Sequence, residues 1–110
     1  MTDAKRRKRA VSFIIKGRTE RKKFLSAALF SEPAWDMLLK LYAVAIDRQA
    51  VSIQVLAGSA SVQPSTAVRW IAALEKENLV RRQGADTVAL SEKGWLAMES
   101  YFESMSSGEM

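Results

Sequence analysis

The chain has 110 residues, enough for one domain with a modest core, and carries a net charge of +5. It has no cysteine and no histidine, which excludes disulfides, zinc-finger chemistry, thiol redox sensing and any Ser–His or Cys–His catalytic pair. No apolar run approaches the ~20 residues of a membrane span, and a chain without disulfides suits a reducing cytosol.

The charge is unevenly placed. Residues 1–23 hold ten Lys/Arg against Asp3 and Glu20, a net +8, whereas residues 24–110 hold seven Lys/Arg against ten Asp/Glu, a net −3. Lys5, Arg6, Arg7, Lys8 and Arg9 form an unbroken basic run. Such a run is either a solvated, mobile tail or an arm that follows a polyanion. In the next stretch Val11, Phe13 and Ile15 alternate, which suggests a strand, although Ile14 breaks the alternation and Gly17 would stop it. Residues 1–18 are therefore expected to form a basic arm ahead of a domain over 19–105, with 106–110 frayed.

Thr19 is a fair N-cap for a helix to about Leu29, with Phe24, Leu25, Ala28 and Leu29 facing inward. Ser31 or Glu32 caps the next helix, with Pro33 at its first position. From Ala34 to about Asp47 apolar residues run nearly all round (Trp35, Met37, Leu38, Leu39, Leu41, Tyr42, Val44, Ile46), as in a helix buried on most sides. Trp35 and Tyr42 share one face, suited to core packing or to a small-molecule pocket. Val51 then reads as a strand residue and Ser52 as the N-cap of a two-turn helix.

Pro64 suits a first helical position, with Gln63 or Ser61 before it as cap. Ala67, Trp70, Ile71 and Leu74 follow as one apolar stripe, opposite Ser65, Arg69, Ala72 and Lys76, with Thr66 and Ala73 beside them. Asn78 is a plausible left-handed residue after the helix. Alone, this pattern fits an ordinary surface helix as well as a recognition helix. Its neighbours narrow the choice. Two β-prone runs flank Gly84-Ala85-Asp86 as a hairpin, with Arg81 and Arg82 beside the turn. Helix, turn, helix, hairpin at these lengths is a winged helix-turn-helix. The expected fold is mainly α with a small β-hairpin wing, about five helices and a two- to three-stranded sheet. Ser91 caps a last helix on which Trp95, Met98, Phe102 and Met105 share one face, with Tyr101 alongside.

The stretch Val51 to Gly94 resembles the DNA-binding core of MarR-type winged-helix regulators. The resemblance rests on Ser61, Ser65, Thr66, Arg69, Ile71, Leu74, Glu75, Leu79 and Val80, then Leu90, Ser91, Lys93 and Gly94 after the hairpin. It implies a cytoplasmic, nucleoid-associated transcriptional regulator that binds double-stranded DNA as a homodimer, without enzymatic activity, cofactor or metal. Gln63, Ser65, Thr66 and Arg69 would then read bases, with Arg69 paired to guanine. Lys76, Arg81, Arg82 and Gln83 would meet the backbone, together with the arm Lys5 to Arg9. Phe13, Ile15, Trp95, Met98, Phe102 and Met105 are the candidates for the dimer interface. The chain departs from the family pattern at the hairpin tip, where Asp86 is followed by Thr87 and Val88 rather than by an arginine. The basic arm is expected to substitute. The chain is also short for the family, which speaks against a small-molecule effector. The competing reading is a winged helix that docks on another protein while the basic tail binds any polyanion.

Overall fold

The computed structural model of the protein describes residues 3–25 and 32–108. The elements are α1 (Asp3–Phe24), α2 (Glu32–Ile46), β1 (Val51–Ser52), α3 (Ile53–Ser59), α4 (Pro64–Lys76), β2 (Val80–Arg82), β3 (Thr87–Leu90) and α5 (Glu92–Gly108). The sheet is antiparallel in the order β1-β3-β2, with Val51 opposite Val88 and Arg82 opposite the same residue on the other edge. This is the winged helix-turn-helix expected from the sequence, with three strands.

The core forms around α2, which contacts α3, α4, α5 and β3. Its Met37, Leu38 and Leu41 are fully buried with Leu56 of α3, Ile71 and Leu74 of α4, and Val88 of β3. Each such side chain contributes about 1.5–3 kcal/mol of apolar transfer free energy. Val88 and Ala89 are both buried because β3, as the central strand, is covered on two faces. Ala28 and Leu29, expected on the inner face of the helix before α2, and Ser31, expected as a cap of α2, lie outside the described residues.

Three helices end alike. After α2, Arg48 has φ 57° and Gln49 N–H returns to Val44 O at 3.0 Å. After α3, Ser61 has φ 54° and Val62 N–H returns to Ala57 O at 3.0 Å. After α4, Asn78 has φ 61° and Leu79 N–H returns to Leu74 O at 3.0 Å. These are Schellman motifs, which satisfy the last carbonyls. Of the residues that follow the left-handed one, Gln49 is exposed, Val62 half-buried and Leu79 buried in the core. Ser61 is therefore the terminator of α3; the N-cap of α4 is Gln63, with φ −69° and ψ 150°.

The largest departure from expectation is α1. The strand expected over Val11 to Ile15, its stop at Gly17 and the helix start at Thr19 are all replaced by one helix of 22 residues. Thr19 is interior to it and donates its Oγ1 hydrogen to Ile15 O at 3.2 Å. The reason is tertiary. Gly17, Glu20, Arg21 and Leu25 recur at helical spacing and are buried, and α1 packs along α5 through them. A Cβ at Gly17 would sit 2.9 Å from the Tyr101 hydroxyl, so the glycine permits the close crossing of the two helices. An alternation of three residues is too short to outweigh that face. At the other end, α5 runs to Gly108, past the fraying point expected after residue 105.

Candidate nucleic-acid interface

The helix-turn-helix begins with a local cap. Ser52 accepts the Val55 N–H on its side-chain oxygen at 3.1 Å, which starts α3 where β1 ends. Ile53 N–H donates to Asp86 O at 2.8 Å, tying the start of α3 to the wing turn. The left-handed Ser61 then turns the chain into α4. Ala67, Ile71 and Leu74 of α4 are fully buried, and this fixes the rotation of the helix about its axis. Gln63, Ser65, Val68, Arg69, Ala72 and Lys76 are left facing solvent, with Thr66 half-buried at the edge.

The Gln63 side chain makes no capping bond, so the first N–H groups of α4 keep no side-chain partner there. Arg69 has no hydrogen-bond or ion-pair partner among the described residues. Val68, 41 % exposed, lies on the same outward stripe and was not singled out from the sequence. The signal was present: position 68 falls at helical spacing from Ser65 and Ala72.

The far end of α4 is fastened to the wing and to α5. Ser91 N–H donates to Leu79 O at 3.0 Å, and the Ser91 hydroxyl donates to Asn78 O while accepting Gly94 N–H at 3.0 Å. Lys93 Nζ donates to Glu77 O at 3.0 Å. At Gly94 a Cβ would lie 2.0 Å from Leu79 O, so no side chain fits. The run Leu90, Ser91, Lys93 and Gly94 thus clamps the base of the wing onto the last turn of α4.

The wing arginines are partly engaged. Arg82 Nε donates to Glu75 Oε1 of α4 at 3.0 Å, an exposed pair that orients the arginine more than it stabilises the fold. Arg81 faces the oxygen of the Gln83 amide, with Nη1 and Nη2 at 3.1 and 3.0 Å. Lys5, Lys8 and Arg9 are exposed on the first turns of α1; the side chains of Arg6 and Arg7 lie outside the described set.

The apolar dimer candidates divide into two groups. Phe13 and Ile15 are 42 % and 57 % exposed, next to exposed Val11 and Ile14. Met98 and Met105 are 1 % and 4 % exposed. Packing within the chain takes their surface, because α5 turns its apolar face onto α1 and α2. Trp95 and Phe102 are half-buried and flank Tyr42, with ring centroids 5.0 and 5.1 Å away. Trp35 meets Tyr101 edge-on at 4.9 Å, so both Trp35 and Tyr42 serve packing between α2 and α5.

The Tyr42 hydroxyl donates to Glu99, and that bond with burial pushes its pKa up to about 12. Burial also raises Tyr101, partly offset by Arg21. The Arg21 guanidinium lies 4.7 Å above the Trp35 ring, and its buried Nη1 has no hydrogen-bond partner among the described residues. The cleft around it, between α1, α2 and α5, measures about 240 Å³. That is below the ~300–1,000 Å³ usual for small-molecule pockets.

A model of the MarR family matches residues 30–85, half of the chain, from the start of α2 to the wing turn. The chain belongs to the MarR family. MarR proteins are winged-helix DNA-binding regulators of transcription rather than enzymes. Among solved structures, a mutant MepR of Staphylococcus aureus bound to an oligodeoxyribonucleotide is similar at TM-score 0.78 and 16% identity, covering 99% of this chain and 80% of that one. RV1404 from Mycobacterium tuberculosis is similar at TM-score 0.72 and 14% identity, covering 92% and 69%. The MarR family transcriptional regulator SPO1453 from Silicibacter pomeroyi DSS-3 follows at TM-score 0.60 and 22% identity, covering 91% and 72%. At such identities the likeness is one of fold. No curated protein sequence gives a significant match.

Proposed function

We propose that this MarR protein binds a specific double-stranded operator as a two-fold dimer and regulates transcription by occupying it. The observation that carries the reading is the division of α4. One face is locked into the core at Ala67, Ile71 and Leu74, and the other offers Gln63, Ser65 and Arg69 to solvent without partners for the arginine. A slim helix with one free guanidinium fits a major groove, where Arg69 pairs with a guanine and Gln63, Ser65 and Thr66 reach neighbouring edges or phosphates. Lys76, Arg81, Arg82 and Gln83 border that groove and meet phosphates, Arg82 from its position on Glu75. The basic end of α1, Lys5 to Arg9, supplies the remaining phosphate contacts in place of a wing-tip arginine.

The dimer forms through the exposed apolar residues Val11, Phe13, Ile14 and Ile15 of α1, with the half-buried Trp95 and Phe102 of α5 as further candidates. Such a protein works in the cytoplasm, at the chromosome.

The test is Arg69→Ala. The side chain is exposed and has no partner among the described residues, so the fold should be unchanged while operator binding loses about 1–3 kcal/mol and base preference at one position relaxes. If DNA affinity barely responds, α4 faces a protein partner instead.

A further inference from the structure

The outward stripe of α4 contains one residue that polar recognition does not account for. Ser65, Arg69, Ala72 and Lys76 are short or charged, as a groove-facing surface requires. Val68 lies among them, apolar, β-branched and 41 % exposed. Valine is a poorer helix former than alanine because its branched carbon restricts rotation against the preceding turn. At 41 % exposure it recovers only part of that cost by packing within the chain. A single exposed valine is ordinary on a general surface. Its place on this stripe is what distinguishes it. At about 100° per residue, Val68 and Arg69 occupy the two flanks of the stripe, with Ser65 and Ala72 between them. Their tips therefore address neighbouring, different base pairs.

The floor of a major groove presents donors and acceptors at every base except for one apolar group, the methyl of thymine. We infer that Val68 is a specificity-determining residue whose γ-methyl groups pack on the methyl of a thymine beside the guanine read by Arg69. The inference rests on α4 reading bases. Burial of the thymine methyl and of Val68 then supplies discrimination that hydrogen bonds do not, and it separates thymine from cytosine at that step.

The experiment uses the full chain and a duplex selected for binding from a random pool. Each thymine is replaced in turn by deoxyuridine, which removes the methyl group and leaves base pairing intact. Separately, each guanine is replaced by an analogue whose major-groove ring nitrogen is carbon. Wild-type protein should lose about fourfold in affinity at one thymine per half-site, the worth of one buried methyl group. Val68→Ala should bind the thymine duplex more weakly and no longer distinguish it from the uracil duplex. Its melting temperature should be equal or higher. Val55→Ala, which removes a somewhat more exposed valine from α3, should keep the difference.

Two outcomes overturn the assignment while leaving base reading by α4 intact: no thymine responds although a guanine does through Arg69, or Val68→Ala keeps the wild-type difference. Transfer of the effect to Val55→Ala also overturns it. A protein that selects no sequence and responds to neither replacement refutes the base-reading role of α4 and this inference with it.

Discussion

At the scale of single residues, backbone geometry decides more than side-chain chemistry. Gly94 has the carbonyl oxygen of Leu79 where a Cβ would be, at 2.0 Å. Gly94→Ala should cost about 3 kcal/mol or more, because backbone rather than a flexible side chain must move. Ser61, with φ 54°, carries the strain of a left-handed non-glycine residue. Ser61→Gly removes a cost of about 1–2 kcal/mol and adds unfolded-state entropy, so a net gain of roughly 0.5–1 kcal/mol is expected. Asn78→Gly should be nearly neutral, since asparagine already tolerates that region. Urea unfolding of the three variants would read these effects, and equal gains at 61 and 78 would contradict the explanation.

The two tyrosines give a pH signature. Tyr42 is raised to about 12 by its bond to Glu99, and Tyr101 is raised by burial. A tyrosine held neutral in the fold contributes stability that is complete below its unfolded pKa near 10. That stability is lost as pH rises from there toward 12. A spectrophotometric titration should find little tyrosinate in the native protein at about pH 10, where unfolded tyrosine is half ionised. Half-ionisation at that pH would refute it.

At the scale of elements, Ser91 links three of them. Its hydroxyl caps α5 and bonds Asn78 O at the end of α4. Ser91→Ala should cost about 1–2 kcal/mol, and more than Ser52→Ala, whose side chain only caps α3. Equal losses in urea unfolding would count against the clamp. These capped elements were the legible part of the chain. Pro64, Asn78, Ser52 and Ser91 are local signals, and each marks a boundary that the structure keeps. The recurring apolar positions of α2 and α4 likewise gave the core. The helix α1 was not legible, because the face that packs it on α5, with Gly17 against Tyr101 84 residues away in sequence, is set by tertiary structure. The candidate site was half legible. Helical spacing put Arg69 on the outward face of α4, where it lies, but the tie of Arg82 to Glu75 depends on how the wing folds back on α4. Met98 and Met105 looked surplus on α5 only because the packing of α1 against them was hidden.

At the scale of the molecule, charge and apolar surface are separated. The strongly basic end lies on α1, while residues 24–110 carry a net −3. Between the basic run and the core sits the apolar band Val11, Phe13, Ile14 and Ile15, each more than 40 % exposed. Four large apolar side chains on one helix are an expected subunit contact. Ile15→Lys should therefore yield a monomer by sedimentation with the fold retained, and its operator affinity should fall because two half-sites are no longer bound together. A dimer unchanged by that substitution would move the interface elsewhere.

On the proposed function α4, supported by the wing and the basic end of α1, binds a specific DNA sequence. The most direct measurement is a titration of the purified protein against the promoter of its own gene and a scrambled duplex, at two salt concentrations. The prediction is a saturable complex that prefers the promoter by about a hundredfold or more, a floor below the ~10³–10⁷ margin usual for specific binding. Its salt slope should flatten on removal of residues 1–9, as phosphate contacts are lost. Equal, steeply salt-dependent binding to both duplexes would contradict the claim and leave only a polyanion-binding basic helix.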